Sequence, residues 1–300
     1  MNRKRQYALT ALLSFSLSVV GFTLFYFELI GLGYTFFILV PLCVGYFLGL
    51  RPDFGIALIV SVMVGLAAFF FFLATSELEG MICIIILLPI FIPLIVLGIW
   101  LGYVIKTKLH KKDKSNILKI SLYPLVVLLF SGGIEHFFGN RYDDAIVEST
   151  IELPYDAAIV YDFIKRVDTL EGERSLLMML GLPVPQKCVL EKEETGAKRI
   201  CYFEEGTIEE EVTDIKRGEF IKMKVTDYKL PGFKWLKFDE ATYLFTQTDS
   251  ATKLTRITTY RSKLKPRIYW EFWEKQAIKE QHEYVLNDLK RRLDAKAKRY

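Results

Sequence analysis

Hydrophobic and polar positions follow two regimes that meet near residue 139. Before it, apolar residues run on with few breaks: Tyr7–Phe27, Leu29–Leu50, Phe54–Ala74, Met81–Ile105 and a weaker Ile117–Ile134. Lys119 near the start of the last run, and Ser131, Gly132 and Gly133 near its end, dilute it. Runs of this length match a hydrocarbon layer of about 30 Å. Residues 1–138 are therefore expected to form a membrane domain, an α-helical bundle of five transmembrane helices. A basic start, Met1–Arg5, followed by an apolar run also describes a signal peptide. This run exceeds an h-region of about 7–15 residues and others follow at once, so a retained helix is expected.

Beyond residue 139 the period changes. Val147–Leu153 reads as a strand, and Pro154-Tyr-Asp-Ala-Ala opens a helix to about Arg166 with Ile159, Val160, Phe163 and Ile164 on its buried side. Glu173–Leu180 reads as a second short helix, closed by Gly181, Pro183 and Pro185. Alternation then predicts strands at Cys188–Lys192, Lys198–Glu204, Thr207–Ile215, Phe220–Tyr228, Ala241–Thr248 and Lys253–Ser262. In the fourth of these, Ile221, Met223 and Val225 alternate with Lys222, Lys224 and Thr226, as in a half-buried antiparallel strand. Turns are expected at Thr195-Gly196, Glu205-Gly206, Arg217-Gly218 and Asp249-Ser250. Pro266–Leu293 closes the series as a long helix. Trp270, Trp273, Ala277, Tyr284, Val285 and Leu289 form its apolar stripe, with Ile278 at the edge; Glu271, Glu274, Lys275, Lys279, Glu280, Asp288 and Lys290 fill the other side. Such a stripe needs a large concave apolar partner, which the strands can supply.

Charge sharpens the first half. Residues 1–138 hold 10 of the 39 Lys and Arg and 6 of the 35 Asp and Glu, so 29 of each remain for the second half. The net charge of +4 belongs to the apolar half, and the sequence pI near 8.7 gives no ground for a nucleic-acid partner. Basic and acidic loops alternate: Arg3, Lys4 and Arg5, then Glu28, then Arg51, then Glu77 and Glu79, then Lys106, Lys108, Lys111, Lys112 and Lys114. Basic loops stay inside. The N-terminus is thus expected in the cytoplasm and, after five crossings, the C-terminal domain outside a bacterial-type inner membrane. If the fifth segment does not cross, that domain is cytoplasmic instead. The spans hold few ionisable groups, Glu135 and His136 falling at the outer end of the fifth, so an anchor is expected rather than an ion path.

Three strings carry a family resemblance: the strand-Pro-x-Asp-x-helix opening at Ile151–Phe163, GAKRICYFEEGTIEEEVTDIKRGEFIKMKV at Gly196–Val225, and TTYRSKLKPRIYWEFWEKQAIKEQH at Thr258–His282. With the order strand, two helices, six strands, long helix, they resemble the START-like superfamily, also called SRPBCC or polyketide cyclase/dehydrase domains. The resemblance covers about the last 150 residues and none of the spans. It implies an α+β helix-grip domain over residues 143–296, an antiparallel curved sheet of about seven strands around the C-terminal helix. It also implies a deep apolar cavity for lipids, sterols, polyketides or other hydrophobic molecules.

Arg199 alternates with Cys201 and Phe203 along its strand. If that face lines the cavity, its guanidinium can hold a ligand carboxylate or phosphate; otherwise it partners one of the glutamates in Glu204–Glu211, a run that reads as a solvated strand face. Phe203, Tyr260, Trp270, Trp273 and Ala277 are expected as cavity wall or core, with small Ala277 recessed behind the tryptophans. His282 either points into the cavity or lies hydrogen-bonded at the edge of the stripe. His110, His136 and His282 lie in separate segments and no Cys/His spacing suits zinc, so no metal or other cofactor is expected. A turn at Glu194-Thr195 sets Cys188 opposite Cys201, where an oxidising compartment could bridge them, while Cys43 and Cys83 fall in spans. The apolar and basic Leu230–Phe238 could cap the cavity mouth or meet the bilayer surface. The function expected is membrane-anchored binding of a hydrophobic small molecule or lipid. A cyclase, aromatase or hydrolase in the same cavity, and a sensor or assembly protein with a collapsed one, are the rivals.

Overall fold

A computed structural model describes residues 3–27, 33–50, 55–76, 80–109, 116–138, 141–230 and 235–298. The chain divides into two compact units. One comprises Met1–Glu79, Cys83–Arg141 and Lys263–Tyr269; the other comprises Gly80–Ile82, Tyr142–Ser262 and Trp270–Tyr300.

The first unit is helical: α1 (Arg3–Tyr26), α2 (Val40–Gly49, entered through a π-helical turn Thr35–Leu39), α3 (Ile56–Thr75), α4 (Met81–Leu109) and α5 (Asn116–Phe138). Among the described residues one helix, Met81–Lys108 with a mean hydropathy of 3.2, is long and apolar enough to cross a bilayer. Tyr7–Thr23, Thr35–Gly49, Ile59–Thr75 and Val126–Glu135 are shorter apolar stretches. Five complete crossings are thus not displayed. The second apolar helix is described from Thr35; its expected start at Leu29 falls in residues 28–32, which with residues 51–54 lie outside the described set. The charged loop residues Glu28, Arg51, Glu77, Glu79, His110, Lys111, Lys112 and Lys114 also lie outside it, as do Pro231–Lys234 and the side chain of His136.

Glycines set the packing of this unit. A Cβ on Gly45 would stand 2.1 Å from the Ile95 carbonyl oxygen and one on Gly98 2.2 Å from that of Leu42. On Gly49 it would meet the Ile99 oxygen at 2.2 Å, and on Gly102 the Tyr46 oxygen at 2.3 Å. Gly45-x-x-x-Gly49 and Gly98-x-x-x-Gly102 therefore lie backbone to backbone, and because the pairs advance together α2 and α4 run in the same direction. From α5, the Glu135 carboxylate accepts the backbone N–H groups of Tyr34 (2.7 Å) and Thr35 (2.9 Å). Glu135 thus holds the start of another helix.

The second unit carries β1 (Asp143–Leu153), α6 (Ala157–Ile164), α7 (Leu176–Met179), β2 (Pro185–Leu190), β3 (Lys198–Phe203), β4 (Gly206–Lys216), β5 (Phe220–Lys229), β6 (Leu236–Gln247), β7 (Thr252–Ser262) and α8 (Arg267–Ala297). All seven strands join one antiparallel sheet in the order β1-β7-β6-β5-β4-β3-β2. Seven antiparallel strands with a long C-terminal helix packed on them make a helix-grip fold. The Asp156 carboxylate accepts from Ala158 N at 2.8 Å and starts α6, as its place after Pro154-Tyr suggests. Gly196 and Gly218 take φ of 85° and 75° in the β2–β3 and β4–β5 turns, a region other residues enter at a cost. Ile221 and Met223 are buried and Val225 is partly so, while Lys222 and Lys224, which alternate with them, are exposed. Leu153, Val160, Ile164, Val212 and Leu254 fill the core with Leu289 and Leu293 of α8.

A polar candidate site on the concave face

The buried line of α8 is Trp270, Glu274, Ile278, His282, Val285, Leu289 and Leu293. Two of its members are polar, and both reach hydroxyls on the sheet. Glu274 accepts from Ser262 Oγ at 2.7 Å and from Tyr260 Oη at 3.2 Å. His282 lies 2.8 Å from Thr258 Oγ1 through Nε2 and 3.1 Å from Ser149 Oγ through Nδ1. Thr258, Tyr260 and Ser262 share one parity of β7, so that parity faces α8. At these points helix and sheet touch directly.

Arg256 has the same parity and lies between Ser149 of β1 and Tyr243 of β6 in the registers of the two ladders. Its guanidinium stands over the Tyr243 ring at 5.4 Å, with Arg199 over the same ring at 5.8 Å. Arg199, only 3% exposed, donates to Glu210 at 2.6 Å from a neighbouring strand. Burial by itself would lower the Arg199 pKa, but the Glu210 carboxylate and Tyr243 hold it above the ordinary guanidinium value. Arg256 differs: it is partly exposed, yet its Nε and Nη1 are buried without a hydrogen-bond partner. Burial, with the Arg256 charge second, pushes the His282 pKa down to about 2, so the imidazole is neutral.

Two clefts flank α8. One of about 510 Å³ lies along Glu171, Gly172, Tyr284, Asp288 and Arg291. It sits where Asp288, 1% exposed, receives Arg291, Arg292 and the Glu171 N–H. The other, about 320 Å³, opens between β1 and α8 and is lined by Ile146, Val147, Phe272 and Gln276 among others.

The sequence-derived residues separate accordingly. Arg199, Tyr260, Trp270 and His282 are buried on or against the concave face, whereas Phe203, Trp273 and Ala277 are only partly buried and flank the line. Glu274 and Asp288 are not on the outer side of α8 but inside, because sheet hydroxyls and neighbouring arginines give their carboxylates partners. The glutamate run is not wholly solvated either, since Glu210 is 5% exposed. The interior is thus less apolar than expected, and His282 sits at the centre of the buried line rather than at its edge. Cys188 and Cys201 do lie opposite one another, with Cα atoms 4.1 Å apart, and are disulfide-bonded. Arg256 was missed, although Leu254, Arg256, Thr258 and Tyr260 share one strand parity in the sequence. Glu210 belongs to the Glu204–Glu211 run expected as the alternative partner of Arg199, and the ion pair bears that alternative out. Among the described residues no cluster of three or more His, Cys, Asp or Glu is placed to hold a metal.

No family model and no curated protein matches this chain. Solved structures are similar over about half of it. Protein Ms6760 from Mycobacterium smegmatis aligns at 13% identity over 52% of this chain and 98% of its own, with a TM-score of 0.36. Ginseng major latex-like protein 151 from Panax ginseng aligns at 11% identity over 50% and 97%, with a TM-score of 0.35. A START superfamily protein from Mycobacterium smegmatis aligns at 12% identity over 50% and 97%, with a TM-score of 0.34.

Proposed function

We propose that this chain is an integral membrane protein whose helix-grip domain binds a hydrophobic small molecule or lipid between the sheet and α8. The observation that carries the reading is the cleft between β1 and α8, where Ile146 and Phe272, 60% and 61% exposed, meet Val147 inside a polar rim of Glu148, Lys275, Gln276 and Lys279. Large apolar side chains left in water around a concavity favour an apolar occupant. His282 has both ring nitrogens engaged and Glu274 is held by two hydroxyls, which weighs for binding over acid–base catalysis.

Five membrane crossings are part of the proposal. The paired Gly-x-x-x-Gly seams support it, because close backbone approach is how helices associate where lipid removes the hydrophobic drive. The same direction of α2 and α4 is what alternating crossings require. An outer-face location for the grip domain is supported by the Cys188–Cys201 disulfide, which persists in oxidising compartments. Native mass spectrometry of the detergent-purified chain tests the binding. A co-purified apolar or amphipathic molecule is expected, displaced on Phe272→Asp; a bare protein that takes up none from a lipid extract would end the reading.

A further inference from the structure

We infer that the open edge of β1 is a docking strand for an extended segment of another protein, one that carries Lys or Arg at every fourth position. The inference goes beyond the small-molecule reading and is independent of it, since it rests on backbone groups and on charge.

The first ground is the edge itself. The sheet ends in β2 on one side and in β1 on the other. The β2 edge is closed: Val167 exchanges both backbone hydrogen bonds with Cys188, and the Leu170 N–H reaches the Gln186 carbonyl at 2.7 Å. The β1 edge is open. Among the described residues, 144–152 hydrogen-bond through the backbone to β7 alone. Every second residue of β1 therefore turns its N–H and C=O away from the sheet. The strand keeps 11 residues in unbroken register, without the proline, lysine or bulge that blunts natural edges. Ile146 and Glu148 from one face and Val147 from the other line the same cleft of about 320 Å³, so the cleft opens at the edge of the strand. An added strand would lie about 4.8 Å away and cross its mouth.

The second ground is charge. The outward row of β1 is Asp144, Ile146, Glu148, Thr150 and Glu152, all exposed. Arg261 and Lys253 of β7 stand opposite Asp144 and Glu152, whereas Glu148 has Ile257 opposite. From α8, Lys275 and Lys279 border the cleft but are paired with Glu271 and Glu283. Glu148 thus keeps an uncompensated charge at the middle of the edge. The same row weighs against a second copy. In the two-fold antiparallel register centred on Glu148, that residue would face itself and Asp144 would face Glu152. An incoming strand with cations four residues apart turns the row into opposite-charge pairs instead.

The test uses the full chain in phosphatidylcholine nanodiscs and a fluorescein-labelled nonapeptide, Lys-Val-Thr-Val-Lys-Val-Val-Val-Lys, with polarisation read against empty nanodiscs. Binding in excess of the empty discs is expected. Glu148→Lys should weaken it roughly 3–30-fold, and a peptide with glutamate for its central lysine should recover that loss on the variant. Glu148 is exposed and opposite an apolar residue, so the variant should melt with the parent. N-methylation of alternate peptide residues should abolish binding for one parity and spare it for the other, because one edge of the peptide faces β1. Binding no better than to empty discs, equal binding of the two N-methyl isomers, or no recovery by the charge swap would overturn the inference. So would a stable dimer in detergent that Ile146→Lys disperses, which would assign the edge to a second copy. Each of these results leaves apolar binding, read by co-purification, unaffected.

Discussion

His282 makes the pH behaviour of the grip domain specific. Its folded pKa is depressed to about 2, while an unfolded histidine titrates near 6.5. Below 6.5 the unfolded chain therefore binds a proton that the folded chain refuses, and stability falls as pH falls toward 2. Above 6.5 both states are neutral and the group contributes no slope. Denaturant melts between pH 7 and 4 should show a loss of up to about 1.4 kcal/mol per pH unit that His282→Asn removes; an unchanged slope would place its source elsewhere. The buried ion pair makes a second prediction. Glu210→Gln strips Arg199 of its counter-charge and should cost about 3–5 kcal/mol by chemical denaturation, with Arg199→Met, which leaves Glu210 bare, similar in size. The double change to apolar residues should recover much of that loss. Arg199 could be read as inward from its neighbours Cys201 and Phe203, but its partner lies on another strand, and hydrophobic alternation ranks charged positions last. That is why Arg256 and Glu274 are harder to see than any leucine, and why the sequence offers a run of glutamates for Arg199 without singling out Glu210.

The strands were legible as elements because period-two patterning survives in a one-sided sheet, and their bounds moved by only a few residues. β6 is the exception, beginning at Leu236 rather than Ala241, since the successive polar residues Asp239 and Glu240 interrupt the alternation of Leu236–Asp239 while the ladder to β7 continues past a bulge at Phe238/Glu240. On α8, apolar periodicity favoured the pair Trp270 and Trp273, whereas the buried line steps from Trp270 to Glu274 and Ile278. Its polar members are stabilised by hydroxyls a dozen or more residues away in sequence, which no helical wheel contains. Trp270→Ala should accordingly cost about 3–5 kcal/mol and Trp273→Ala clearly less, measured side by side in urea. In the helical unit the corresponding change is Gly98→Leu. Its Cβ would overlap the Leu42 carbonyl, so α2 and α4 should separate and the detergent-solubilised chain should lose thermal stability. An unaltered melting curve would mean that this seam carries no weight.

For the molecule as a whole, the apolar half announced itself by composition, while the fate of each crossing depends on helix ends that lie among short charged loops. The proposed topology is open to a direct check. A periplasm-dependent reporter after Tyr300 should be active and one near Lys112 silent, and the reverse would place the grip domain inside. Free-thiol labelling before and after reduction should, in the first case, find Cys188 and Cys201 linked in the mature protein. The glycine seam has one more consequence, for the order in which the chain is made. Gly45 and Gly49 find their counterparts only in Gly98 and Gly102, about 50 residues later. At a synthesis rate of about 5–20 residues per second, α2 must wait several seconds on the ribosome with its smooth face toward lipid or the insertion machinery. A nascent chain stalled after α3 should therefore be open to capture by a chaperone or a membrane protease, and one stalled after α5 should not. Pulse-chase of the two truncations would show whether α4 is the point at which this protein becomes safe from its own quality control.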